Sequence, residues 1–457
     1  MDNTSSLVNS LGFVASEIFN LPVGASQSSE STKRRLEQKS FVPLKPSTLQ
    51  ETRLSDSLLE SLILKTLHNL GVASGRRIAD QMKLPFGIVN EMLHALKMQL
   101  LVAHKASAAM SDYEYELSQA GFERARRFTE QCTYFGAAPV ALEDYLASIE
   151  KQSIRNIRPR MPHLRMAFED LLLPVDMLSQ VGQAVNAGRG LFLYGPPGNG
   201  KSSIAERVMR CASEAIWIPR TISVGREIIR LYDPATHEAM PLEDEGMLLS
   251  SSQIDGRWIR IRRPTVVVGG ELTLEQLEIS YNSQSGVNEA PLQLKSNCGA
   301  LVVDDLGRQR VSVMELLNRW IIPLEKGIDF LALASGRQIR IPFDQLIVFA
   351  TNLEPKELVD EAFLRRIPYK IEVVDPTVEQ FHDLFKQNAP SFGFEASESV
   401  LEHLVLTHFA AKKRPLRFCF VRDILEQAKN YCEFHEQPME LSEEIIDIAT
   451  KNYFAGL

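Results

Sequence analysis

An α/β fold built around a phosphate-binding loop is what three apolar runs and their polar ends predict. The run Leu191-Phe192-Leu193-Tyr194 enters Gly195-Pro196-Pro197-Gly198-Asn199-Gly200-Lys201-Ser202, and the helix-like stretch Ile204-Ala205-Glu206-Arg207-Val208-Met209 follows. Ala300-Leu301-Val302-Val303 ends in Asp304-Asp305, and Leu346-Ile347-Val348-Phe349-Ala350 ends in Thr351-Asn352. Short continuous apolar runs bounded by turn residues read as buried strands. Each one here delivers polar groups to its end.

The first run carries the most specific chemistry. Gly-x4-Gly-Lys-[Ser/Thr] between a strand and a helix is a phosphate loop, whose small glycines let successive N–H groups point at phosphate oxygens. The helix that follows adds its positive N-terminus. Gly195, Pro196, Pro197, Gly198, Asn199, Gly200, Lys201, Ser202 and Ser203 are the candidate nucleotide-binding residues. Lys201 is expected to reach the β/γ-phosphates and Ser202 to ligate Mg²⁺. A buried strand ending in the acids Asp304 and Asp305 puts a carboxylate beside that loop, where Mg²⁺ and the attacking water would sit. Asn352 can hydrogen-bond both a phosphate and a water, although an Asn capping a core strand would read the same way.

Composition sets the frame. The 457 residues suffice for about three domains, and 44% hydrophobic with 24% charged residues is ordinary for a globular chain. A net charge of −8 argues against a polyanion-coating protein. Five scattered cysteines form no CxxC pair and no zinc spacing. No run is long enough to span a membrane, and Asp2 stands where a signal peptide needs basic residues. The expected compartment is the cytoplasm, with no membrane partner.

Residues 1–50, rich in Ser, Thr, Gln and Pro, are expected to be a disordered tail. Residues 51–130 predict a winged helix-turn-helix: helices over Leu58 to Leu70, Gly75 to Met82 and Pro85 to Leu101, then a hairpin and a further helix through Phe128. Such domains often read DNA. Here ten Lys/Arg face nine Asp/Glu between Arg53 and Glu130, and the third helix carries only Glu91 and Lys97. A phosphate-tracking surface needs a basic stripe, so a protein client is the leading partner and DNA the alternative. Residues 131–165, with Gly136, Pro139, Pro159 and Pro162, read as a linker bearing the basic residues Lys151, Arg155, Arg158 and Arg160. A helix pair from Phe168 to Asn186 leads into the loop strand. Ala215 to Pro219 reads as a second strand. The 103 residues from Lys201 to Asp304 leave room for a β-rich insertion near 225–295, in which Thr265 to Gly270 is included. Phe330 to Leu333 and Gln338 to Ile341 flank a turn at Ser335-Gly336-Arg337, a hairpin pattern.

Taken in this order, the three motifs resemble the AAA+ ATPases, ring-forming molecular motors, over about residues 165–450. Gly195 to Ser202 matches Walker A, Asp304 and Asp305 match Walker B, and Asn352 matches sensor 1. Asp360 to Ile367 looks like the arginine-finger region, with Arg366 the better match and Arg365 the alternative. Arg417, in Lys413-Arg414-Pro415-Leu416-Arg417, is similar to sensor 2 of an α-helical lid. The resemblance implies an α/β nucleotide-binding core over 166–375, a lid over 376–457, ATP and Mg²⁺ as cofactors, hydrolysis coupled to remodelling, and a homo-oligomer, a hexameric ring. Asp305, Asn352, Arg366 and Arg417 are then the catalytic candidates. The second Walker B acid is usually Glu in the family, and Asp305 implies an active, slower enzyme. The Asp-Asp-Leu-Gly form resembles the DnaC/IstB helicase-loader type, the hairpin the MoxR-containing branch.

Overall fold

The computed structural model describes residues 41–212, 215–242 and 253–455. The 1–40 part of the expected tail and the acidic residues Glu243 to Glu245 lie outside the described residues. The remaining tail residues do not hang free: Leu44 bridges Ile254, and the Thr48 side chain caps the short helix Leu49–Thr52.

Helices Asp56–Leu70, Gly75–Met82, Phe86–Met98 and Gln119–Gln131 surround a small sheet of β1 (Val72–Ser74), β2 (Val102–Ala108) and β3 (Asp112–Leu117), ordered β1-β3-β2. Ser55, Ser74 and Ser118 start three of these helices by accepting from the N–H groups of Leu58, Arg77 and Gly121, which satisfies donors the first helical turn leaves unpaired. Leu62, Ile63, Leu67, Ile78, Leu93, Leu96 and Tyr115 fill the space between.

Residues 131–165, expected as a linker, are instead packed structure. They contain β4 (Val140–Ala141), helix Leu142–Gln152 and helix Met161–Ala167. Tyr145 and Ile149 are buried against the β-rich layer described below. The Gln152 side chain acts as a strand partner for Trp217, accepting from its N–H at 2.6 Å and donating to its carbonyl at 2.9 Å.

Helix Val175–Ala187 leads into β5 (Leu191–Tyr194), and helix Lys201–Arg207 follows the loop. Next come β6 (Ala215–Pro219), β7 (Thr221–Val224), β8 (Glu227–Arg230), β9 (Trp258–Arg262), β10 (Thr265–Val268), β11 (Ser280–Asn282) and β12 (Val287–Glu289). The expected second strand, β6, forms and pairs antiparallel with β9. One expectation is corrected here: β10 does not belong to the insertion, because it pairs parallel with the acid-tipped strand β13 (Ala300–Val303). The insertion strands β8, β11 and β12 join β7 and the upstream β4 in a five-stranded sheet ordered β11-β12-β8-β7-β4.

The chain continues through helix Val313–Lys326, the hairpin β14 (Ile328–Ala332) and β15 (Gln338–Pro342), β16 (Leu346–Thr351) and β17 (Tyr369–Glu372). The central sheet is ordered β10-β13-β16-β5-β17 and is parallel throughout. Leu191, Leu193, Ala300, Val302, Leu346 and Val348 face one covering layer of helices. Phe192, Leu301, Val303, Ile347 and Phe349 face the other, where Trp320 is fully buried. Burial on both faces is why these strands read as unbroken apolar runs rather than alternating ones. Four longer C-terminal helices, Val378–Asn388, Glu398–Leu404, Phe418–Phe434 and Glu443–Tyr453, enclose their own core of Phe381, Phe385, Phe409, Leu425 and Ile446.

One ion pair of the insertion is sealed from water. Asp255 and Arg257, 2% and 3% exposed, pair at 2.7 Å, and Arg257 also donates to the Pro139 carbonyl. Removing one member of a buried pair strands the other charge, so Asp255→Ala is expected to cost about 3–5 kcal/mol in chemical unfolding. A loss below ~1 kcal/mol would mean that Arg257 regains water, as it does in an exposed pair.

Candidate nucleotide site

The glycine loop leaves the carboxyl end of β5, which lies between β16 and β17, so the connections from it diverge across the sheet. The crevice outside the carboxyl ends at such a switch point is where open parallel sheets hold ligands. Gly195 has φ 130°, and a Cβ there would lie 2.5 Å from the Val373 carbonyl oxygen. Gly198 has φ 86°, and a Cβ would lie 2.5 Å from Cys419 Sγ. Both positions combine a left-handed backbone with a close neighbour, so only glycine fits.

Lys201 is buried, and its Nζ donates to the carbonyls of Gly195 at 2.9 Å and Pro196 at 2.8 Å. Burial pushes the ammonium below its ordinary pKa, while Asp305 and then Asp304 pull it back up. Both acids at the end of β13 are thus near enough to act on its charge. Ser202 and Ser203 are half-buried in the first turn of helix Lys201–Arg207. Asn199 donates to Asp375 at 2.7 Å.

Asp304 N–H donates to Val268 of the neighbouring strand, and the Asp304 carboxylate accepts from Asp305 N–H at 3.0 Å. Asp305 is exposed with φ 50°, and its Oδ1 lies 3.4 Å from Asn352 Nδ2. Aspartate visits this left-handed region more readily than a longer side chain, which gives a local reason for the shorter acid. Gln309 donates to the carbonyls of Asp304 and Asp305 at 2.8 and 3.1 Å, fixing the turn from below. The turn is also tied to the end of β16: Thr351 Oγ1 donates to the Leu306 carbonyl at 3.0 Å.

The C-terminal helices close on the same loop. Arg417 Nη1 donates to the Pro197 carbonyl at 2.6 Å, and Cys419 N–H donates to the Gly198 carbonyl at 2.9 Å. Phe418 N–H donates to Asn199 Oδ1 at 3.4 Å. Lys201, Asp304, Asp305, Asn352 and Arg417 are thus gathered around one loop. Arg366 is not among them. It precedes β17 and sits toward the amino ends of the strands, paired with Glu325 at 2.9 Å. Arg365 is exposed and lines a cleft with Tyr194, Glu354, Glu361 and Glu372. Asp375 and Gln309 escaped the sequence reading. Asp375 carries a weak signal, as the polar residue that follows the apolar pair Val373-Val374 just past β17.

A family model described as Domain of unknown function (DUF8689) matches residues 377–452, the C-terminal helices. No curated protein matches the chain. Among solved structures, Thermotoga maritima RuvB, described as a Holliday junction branch migration motor, is similar at 12% identity and TM-score 0.36, covering 64% of this chain and 73% of that one. An Arg-to-Ala mutant of the same protein is similar at 13% identity and TM-score 0.34, over 66% and 72%. The protein is therefore described by its own architecture: a mixed α/β chain with a parallel sheet and a glycine loop at its switch point. Among the described residues, no helix is long and apolar enough to cross a membrane.

Proposed function

We propose that this chain is an AAA+ ATPase that binds ATP with Mg²⁺, hydrolyses it at sites completed between subunits of a hexameric ring, and remodels a protein client. The observation that carries the reading is the convergence of Lys201, Asp304, Asp305, Asn352 and Arg417 on one glycine loop. A terminal phosphate entering there would draw Lys201 Nζ from the Gly195 and Pro196 carbonyls. Half-buried Ser202 and Asp304 are oxygen donors of the kind Mg²⁺ takes, and the ion would neutralise phosphate charge. Asp305 is the group that polarises the attacking water, and Asn352 holds it. Arg417 acts within its own chain, its guanidinium already resting on the loop that a nucleotide would occupy.

The N-terminal helices and hairpin serve as a winged-helix module for a protein partner. The outer face of helix Phe86–Met98 offers Asn90, Glu91, His94 and Lys97 rather than a basic stripe. Close by in the chain, Met98, Leu100 and Met110 are 77–83% exposed. Exposed apolar side chains of this kind suit a protein surface more than a phosphate backbone.

The test is Asp305→Asn in the full chain. Turnover should fall at least ~100-fold while ATP binding is kept or tightened, because transition-state and ground-state contacts are separable. The ATP-loaded variant should then retain a protein on co-purification. Equal losses of binding and rate would make Asp305 a metal or structural residue, and retention of duplex DNA with a steep salt dependence would replace the protein client by DNA.

A further inference from the structure

The C-terminal helices contain a cluster of donors remote in sequence from every residue of the nucleotide site. His403 Nε2 and His408 Nε2 lie 2.8 and 2.6 Å from the same oxygen, Oδ1 of Asp447. All three ligand atoms fall within 4.8 Å of one another. We propose that His403, His408 and Asp447 form a binding site for a divalent transition cation of the Zn²⁺ kind, which staples the helix leading out of Glu398–Leu404 to helix Glu443–Tyr453.

The backbone is shaped for this convergence. On an α-helix, residues five apart point about 140° away from each other. Here residues Val405–Ala410 form a π-helix, and the Ala411 N–H reaches back five residues to the Leu406 carbonyl at 3.0 Å. The wider turn brings 403 and 408 to one side, and single π turns are frequent at functional sites. The donor set is two imidazole nitrogens and a carboxylate oxygen, which suits Zn²⁺ and its neighbours rather than Mg²⁺ or Ca²⁺. With bonds of about 2.0–2.1 Å, ligand atoms around tetrahedral Zn²⁺ stand roughly 3.3 Å apart. The two nitrogens therefore need to draw back from Asp447 by about 0.5 and 0.7 Å.

Charge points the same way. Asp447 and Glu443 both border the cluster, and among the described residues neither pairs with a Lys or Arg. Glu443 stands 3.7 Å from the outward Nδ1 of His403, with Thr407 Oγ1 at 3.5 Å. An outer carboxylate beside a ligating imidazole orients the ring and raises its basicity. The Asp447 side chain is about half exposed, at 48%, which leaves a position for a water ligand and a path of entry. His408 Nδ1 is buried without a partner. It is so whether Nε2 holds a proton or a cation, and does not discriminate.

A plain hydrogen-bonded staple, Asp447 accepting from two neutral imidazoles, is the competing account, and the experiment separates them. The full chain, stripped with chelator and held at neutral pH, is titrated with Zn²⁺ by calorimetry and with Co²⁺ by visible absorption. About one equivalent should bind, with a tetrahedral or five-coordinate Co²⁺ spectrum and a rise in thermal midpoint, because binding to the native state is coupled to folding. His403→Gln and Asp447→Asn should each weaken binding at least ~100-fold, since even an outer-sphere partner is worth 10–100-fold. Ser202→Ala and Asp304→Asn should leave it unchanged. Asp447→Asn keeps an acceptor oxygen for both imidazoles, so its metal-free thermal midpoint should stay near the parent's and report an intact fold. Absence of Zn²⁺ binding to the parent chain, or binding of equal strength in both variants, overturns the proposal.

Discussion

Replacing Lys201 by Ala should weaken ATP binding at least ~100-fold and leave the fold in place. Nζ is buried against the glycine loop, bonded to the Gly195 and Pro196 carbonyls, and Asp305 and Asp304 are near enough to act on its charge. A hydrogen bond to a charged group contributes about 1.5–3 kcal/mol, and an ammonium bridging two phosphates makes at least two of them. Some of that gain is offset by the bonds to Gly195 and Pro196 that Nζ gives up. A surplus near 2.7 kcal/mol corresponds to ~100-fold in affinity. Loss of the lysine leaves two loop carbonyls without a donor, a cost of about 1–3 kcal/mol per group if they stay dry. Gly195 and Pro196 are partly exposed, so water can replace the ammonium and the thermal midpoint should move little. Titration of a fluorescent ATP analogue into wild type and variant measures the effect. An affinity within twofold of wild type would remove the phosphate-loop assignment altogether.

The site was legible where chemistry and chain order coincide, and the fold where burial is local. Strand, Gly-x4-Gly-Lys-Ser and helix are contiguous, so their placement at the end of β5 follows from one stretch of sequence. Asp304, Asp305 and Asn352 were legible for the same reason, each standing at the end of an apolar run that is a central strand. What sequence reading left open or misplaced depends on partners far along the chain. β6 and β10 are both short apolar strands. Only their partners, Arg262 to Trp258 for one and Ala300 to Val303 for the other, decide which sheet each joins. Gly136, Pro139, Pro159 and Pro162 dominated the reading of 131–165 as a linker. Leu142, Tyr145, Leu146 and Ile149 nonetheless carry a helical apolar stripe, and all four pack into the core of the β-rich layer. Asp375 meets the loop through the Asn199 side chain and Gln309 donates twice to the acid turn, and one polar residue at one position has no pattern to announce it.

The other large effect belongs to Arg366, and it is expected to appear between chains. Arg366→Ala should lower kcat by on the order of 10³, the scale of a guanidinium that stabilises charge on a transferring phosphoryl group. The electrostatic setting favours Arg366 over its neighbour. Arg366 shares a cleft with Arg155, Arg189 and Lys326 against the single carboxylate of Glu325, whereas Arg365, Lys356 and Lys370 face Glu354, Glu361 and Glu372. Four cations to one lining carboxylate, with Arg155 also 3.7 Å from Asp344, still leave a positive surface suited to a neighbour's polyphosphate; three to three is already balanced. The Glu325 pair is no obstacle, since both side chains are partly exposed and such pairs contribute about 0–1 kcal/mol. Arg365→Ala should therefore lower the rate far less. Arg366 lies toward the amino ends of the strands, away from its own glycine loop at their carboxyl ends, so in the proposed head-to-tail ring it would serve the next subunit. Arg366→Ala chains, nearly inactive alone, should regain activity when co-assembled with inactive Lys201→Ala chains. With random mixing in equal amounts, roughly one interface in four joins an intact loop to an intact finger, and about a quarter of the wild-type rate should return if sites act independently. Arg417→Ala mixed with Lys201→Ala should show no such rescue unless a lid can serve a neighbour, since Arg417 reaches Pro197 within its own chain. Co-assembled mixtures that stay inactive, or a monomer fully active at every protein concentration and indifferent to Arg366→Ala, would end the shared-site model.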